Sequence, residues 1–134
     1  MTATGPRPVD RDDLDGIATA LPEVTREGTD THPVYAVRGK KFVVWRGPRK
    51  DALDPDTGEP MDDVIMLRVP GPDDKEAILQ SGAPWFTTPH FDGYAAVLVR
   101  ERDLGDLDYL ELAEIVTDAW ASQAPATLVR QHLG

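Results

Sequence analysis

Trp85-Phe86-Thr87-Thr88-Pro89-His90-Phe91-Asp92-Gly93-Tyr94-Ala95-Ala96-Val97-Leu98-Val99-Arg100 decides how the chain is read. Two runs, Trp85-Phe86-Thr87 and Tyr94 to Arg100, are rich in aromatic and β-branched residues, which fit a pleated, half-buried surface. Between them lie a proline, an aspartate and a glycine, the residues that punctuate turns. The stretch predicts two antiparallel strands around a turn.

On its N-terminal side, Asp63-Val64-Ile65-Met66-Leu67-Arg68-Val69 predicts a strand buried on both faces, and Asp73 to Gln80 a short helix ending before Gly82. Pro33-Val34-Tyr35-Ala36-Val37 and Lys41-Phe42-Val43-Val44-Trp45-Arg46 read as a β-hairpin around Arg38-Gly39-Lys40, with a short strand from Val24 to Glu27 before it. Residues 47–62 hold three prolines and two glycines and read as a long loop. Leu14, Ile17, Ala18 and Leu21 fall at i, i+3, i+4 and i+7 of a helix capped by Asp10 and stopped by Pro22. Residues 1–9 read as a flexible leader and residues 10–134 as a single domain. On the C-terminal side, Leu107, Leu110, Ala113, Val116 and Trp120 trace a helix from about Asp106 to Gln123. A final short helix starts near Pro125. The element order predicts an α+β fold: a two-layer antiparallel sheet of about five strands, with helices on one face.

The chain has 134 residues, 24 acidic against 14 basic side chains, a formal charge of −10 and no cysteine. Disulfide scaffolds, thiolate catalysis and iron–sulfur ligation are thereby excluded. The apolar runs are far shorter than the roughly 20 residues of a membrane span, and Met1 to Pro8 lacks an apolar signal region. A cytoplasmic protein with no membrane partner is expected. No Ser–His–Asp order, nucleotide loop or HExxH motif is present, and His32, His90 and His132 lack zinc-ligand spacing. No cofactor, no metal and no enzymatic activity are expected.

The Trp85–Arg100 stretch resembles the signature of the MmcQ/YjbR family of small bacterial proteins. Leu21-Pro22-Glu23-Val24, the segment from His32-Pro33 through Arg38-Gly39-Lys40-Lys41-Phe42, and Ala119-Trp120 to Val129 agree with it, so the resemblance spans residues 13–133. It implies a fold similar to the bacterial frataxin homologue. It also implies a DNA-binding label, since the family's paired hairpins have been likened to a double wing. The loop at 47–62 is longer than that pattern leads one to expect.

Two candidate sites follow. Arg38, Lys40, Lys41, Arg46, Arg49 and Lys50 stand in a stretch, residues 38–50, that contains no acid. At a hairpin tip such a cluster can approach phosphates. Residues 51–63 carry six acids and no base, so the alternative is a hairpin neutralised by its own loop. The second site is the Trp85–Tyr94 turn, where Trp85, Thr88, His90 and Tyr94 would hold a small molecule or a protein between the turn, Trp85 and the last helix; the residue types also serve a turn alone. The acids Asp10, Asp12, Asp13 and Asp15 read as a helix-dipole complement and solvated face, and Trp45, Trp85 and Trp120 as core. The function expected is a non-enzymatic binding module with DNA as partner through the basic hairpin. The alternative is a small-molecule or protein-interaction domain using the turn.

Overall fold

The computed structural model describes residues 8–133. Helix α1 (Arg11–Ala20) begins in a capping box: Asp10 Oδ1 accepts from the Asp13 N–H and Asp13 Oδ2 from the Asp10 N–H, each at 3.0 Å. Two of the four orphan amides at the helix start are thus satisfied, and Pro22 prevents extension beyond Leu21. Strands β1 (Val24–Gly28), β2 (Pro33–Val37), β3 (Lys40–Arg46), β4 (Val64–Arg68) and β5 (Ala96–Arg100) follow. Among the described residues they form one antiparallel sheet in the order β1-β2-β3-β4-β5. Val37 pairs with Lys40, leaving Arg38 and Gly39 as a two-residue turn with φ of 48° and 83°. Positive φ at both positions matches the right-handed twist of the flanking strands, and Gly39 adopts it without strain. Helix α2 (Pro72–Gln80) joins β4 to the 85–94 segment; α3 (Tyr109–Gln123) and α4 (Ala126–Leu133) close the chain.

Alternation along the strands divides the sheet into two apolar faces. On one, Tyr35, Val37, Val43, Trp45, Ile65, Leu67, Val97 and Val99 pack with Leu14 and Ile17 of α1 and Leu112, Val116 and Trp120 of α3. Trp120 is fully buried, and its indole N–H donates to Pro22 O at 3.0 Å, tying α3 to the end of α1. On the other face, Val64, Met66, Ala96 and Leu98 meet Ala52 and Met61 of the 47–62 loop and Phe91 of the turn. The helices cover one face as expected. The second face is buried too, under loops.

Three boundaries differ from expectation. Residues 85–87 do not form a strand: they meet β5 in a single bridge, Phe86 opposite Leu98, with reciprocal 2.9 Å bonds. Pro89 has no N–H and a fixed φ, so the ladder stops there and Pro89–Phe91 winds as a 3-10 turn. The long helix begins at Tyr109, not Asp106, because Asp108 caps it by accepting from the Glu111 N–H at 2.8 Å. Of the leader expected over residues 1–9, residues 1–7 lie outside the described residues, and Val9 is buried in the helix-side core. Among the described residues no helix is long and apolar enough to cross a membrane.

The helix-side core predicts a contrast within α3. Leu112 is fully buried and Leu110 is 74% exposed. Leu112→Ala should cost about 2–5 kcal/mol in urea unfolding, and Leu110→Ala less than about 0.5 kcal/mol. Equal costs would contradict this packing.

Candidate functional site

The six basic residues of the 38–50 stretch do not form one patch. Strand β3 is seven residues long, roughly 20 Å at 3.3 Å per residue. Arg38, Lys40 and Lys41 sit at one end, and Arg46, Arg49 and Lys50 at the other. Two of the six are held by carboxylates of the chain itself. Arg38 donates through Nε and Nη2 to Glu23 at 2.7 and 3.0 Å, a two-pronged pair that lowers the Glu23 carboxyl below its usual range. Arg46 is 7% exposed and donates to both oxygens of Asp51, at 3.2 and 3.0 Å, with its guanidinium 4.9 Å from the centre of the Phe91 ring. Lys40, Lys41, Arg49 and Lys50 are exposed and make no ion pair among the described residues.

Arg46, Val64 and Arg100 stand side by side across β3, β4 and β5. Their row points the two guanidiniums toward the loop side, where the acids of the 51–63 segment meet them. Arg100 donates to Asp54 at 2.6 Å and to Asp63 at 2.8 Å. Asp54 is 7% exposed and also accepts from the backbone N–H groups of Asp56 and Thr57, at 2.7 and 3.3 Å. Arg100 first, then these amides, push its carboxyl from the ordinary 3.8 down to about 2. Bonds between Asp54 and Glu59 and between Met61 and Ala52, both 2.8 Å, fold the loop into a short hairpin lying on the sheet. Nothing in the apolar pattern points to Arg100, Asp54 and Asp63 as the anchor, nor to Arg102, whose Nη1 lies 3.5 Å from Asp54. The signal was electrostatic: thirteen residues with six acids and no base require cations from elsewhere.

The 85–94 turn is fastened from the opposite side. Lys75 of α2 donates to Phe91 O at 2.6 Å and to Tyr94 O at 2.8 Å. Phe91 is buried and takes the edges of His90 and Tyr94 at 5.1 and 5.6 Å. Arg68, on β4, places its guanidinium 4.5 Å from the centre of the Tyr94 ring.

The four residues expected to share a ligand at this turn diverge. Trp85 is 5% exposed within the helix-side core. The Thr88 hydroxyl is buried with no hydrogen-bond partner. His90 faces solvent, 3.9 Å from Asp51. Tyr94 is 44% exposed. Open grooves flank the turn on both sides. One, of about 490 Å³, lies between α2 and the turn, with Leu79, Tyr94 and Ala95 among its walls. The other, of about 430 Å³, lies between the turn and the 47–62 loop, with Leu53, Phe86 and Thr88 among its walls. Thr87 borders both, and no residue of α3 or α4 borders either. Trp85 is therefore not in the wall of either groove: it packs in the helix-side core, while α2 lines one groove and the 47–62 loop the other.

Three of the four acids at and after the start of α1 are engaged in structure, and Asp12 is exposed in its first turn. Asp10 and Asp13 cap the helix, and Asp15 accepts from the Tyr35 hydroxyl at 2.6 Å and from Arg26 at 2.9 Å. Burial, then the Asp15 bond, pushes the Tyr35 phenol up to about 12. Among the described residues no three His, Asp or Glu side chains converge as metal ligands do.

Because the folded chain depresses the Asp54 carboxyl, its pairing stabilises fully above the ordinary value of 3.8 and is lost as pH falls toward about 2. Asp54→Asn should unfold at lower temperature than the parent at neutral pH. Its melting temperature should then fall less steeply through that acid window. Parallel curves for the two proteins would refute the anchor.

Comparison with known proteins gives two concordant results. The model of the YjbR family matches residues 19–122. An uncharacterized protein of Mycobacterium bovis and one of Mycobacterium tuberculosis are each 35% identical over 128 residues, covering 91% of this chain and 94% of the relative. No solved structure matches significantly.

Proposed function

Since the chain belongs to the YjbR family, we propose that it is a non-enzymatic member whose ligand is a small molecule seated between α2 and the 85–94 turn. One observation carries this: the turn and α2 enclose an open, largely apolar groove of about 490 Å³, within the range typical of small-molecule sites. Tyr94 stands 44% exposed in its wall. Its ring is fixed by Arg68 behind it and Phe91 beside it, so little ordering cost falls on the binding step. The walls carry no nucleophile paired with a general base, which favours binding over catalysis.

Contact with DNA is favoured by a separate observation. Lys40 and Lys41 are exposed at the β2–β3 turn with no ion pair among the described residues. They offer two phosphate contacts where the sequence alone counted six cations, so affinity through this tip would be low and salt-sensitive.

Both proposals are measurable. A metabolite screen by thermal shift should yield compounds that stabilise the parent and leave Leu79→Ala and Tyr94→Ala unaffected; hits shared by all three proteins would place the ligand elsewhere. A DNA titration at several salt concentrations should give a log–log slope of about −2 for two phosphates, abolished in the Lys40→Ala, Lys41→Ala double variant. No binding at low salt would remove DNA as a partner.

A further inference from the structure

Resting on the groove assigned above, we propose that it selects molecules joining an apolar body to a protonated amine. The charges around it are unequal. Glu76 of α2 and Asp92 of the turn border the groove, both exposed and without a cationic partner among the described residues. Glu76 accepts one bond, from Gln80 Nε2 at 2.9 Å. Lys75 is the cation on the lining, and its ammonium is already spent on the carbonyls of Phe91 and Tyr94, at 2.6 and 2.8 Å. An anionic ligand would have to draw Lys75 away from the bonds that hold the turn to α2. An amine can approach either carboxylate with no such rearrangement.

The Tyr94 ring is not the cation's receptor on the side where Arg68 lies, because that guanidinium sits 4.5 Å from the ring centre and like charges repel. The ligand's charge therefore belongs at the rim, between Glu76 and Asp92, and its apolar part against Leu79, Ala95 and the open side of Tyr94. The chain's overall charge of −10 raises the local concentration of cations at low ionic strength.

Three probes of one skeleton isolate the charge: phenethylamine, 2-phenylethanol and phenylacetate, titrated against the whole chain at pH 7 and followed by NMR. The amine should bind about fivefold more tightly than the alcohol, as two partly exposed ion pairs allow, and phenylacetate most weakly. In Glu76→Gln, Asp92→Asn the amine should fall to the affinity of the alcohol, whose own affinity stays unchanged. Salt at 0.5 M, about the level that screens exposed charges within a few ångströms, should erase the same difference. Equal binding of amine and alcohol to the parent, or an amine preference that survives the double variant, overturns the selection for amines and leaves the groove as a ligand site. If none of the three probes shifts the resonances of Leu79 or Tyr94, the groove assignment itself falls and this proposal with it.

Discussion

Over β3 to β5 the sheet of this protein is apolar on both faces, and water must be kept from both. Val64, Ile65, Met66 and Leu67 are consecutive and all buried, which in a strand means that adjacent side chains go to opposite sides. Helices α1 and α3 cover one side by the usual fit of an amphipathic stripe on a sheet. Covering the other side falls to segments with little regular structure of their own, the 47–62 loop and the 85–94 turn. An irregular cover lacks the ladder of a helix or strand, so its position depends on bonds to the sheet. Arg46 and Arg100, neighbours of Val64 on either side, supply them through Asp51, Asp54 and Asp63.

That arrangement places ionic groups where desolvation costs most. Arg46, 7% exposed, is paired with Asp51, and Asp54, 7% exposed, with Arg100; either pair would be unfavourable if one member lost its partner. Here the guanidinium of Arg100 bridges two carboxylates, and Asp54 collects two backbone amides as well. With Arg102 Nη1 3.5 Å from Asp54, three arginines face three aspartates, and the loop is held in one place on the sheet. Lys75 performs a related task with carbonyls instead of carboxylates, fixing the turn to α2. The grooves beside the turn are a consequence of this construction. Loops joined to a sheet at a few points, and to one another hardly at all, leave open seams between those points.

Charge in this protein is consequently a poor guide to partners when counted along the chain. A run of cations and a run of acids follow each other in sequence, and folding brings the second back against part of the first. What is left over is scattered: two lysines at one end of β3, an arginine and a lysine past the other. The excess of acid, by contrast, stays at the surface on α2, the turn and α3. A solute approaching these surfaces meets a negative field before it meets a side chain.

The amino-acid sequence alone determined most of the elements, since their signals are local. Asp10 and Pro22 bound α1, Arg38-Gly39 turns β2 into β3, and the uninterrupted apolar run at residues 64–67 announces a strand with no wet face. The Trp85–Arg100 stretch likewise pointed to the family, which the YjbR model over residues 19–122 bears out. Only the tertiary structure decided what the turn faces, which of the six neighbouring cations remain free, and that the long loop is a cover over the sheet. Each of these depends on pairs such as Arg100 with Asp54 and Lys75 with Phe91, separated by 46 and 16 residues. The strength of such a pair is set by distance and burial in space, and neither quantity is written in the spacing of residues along a chain.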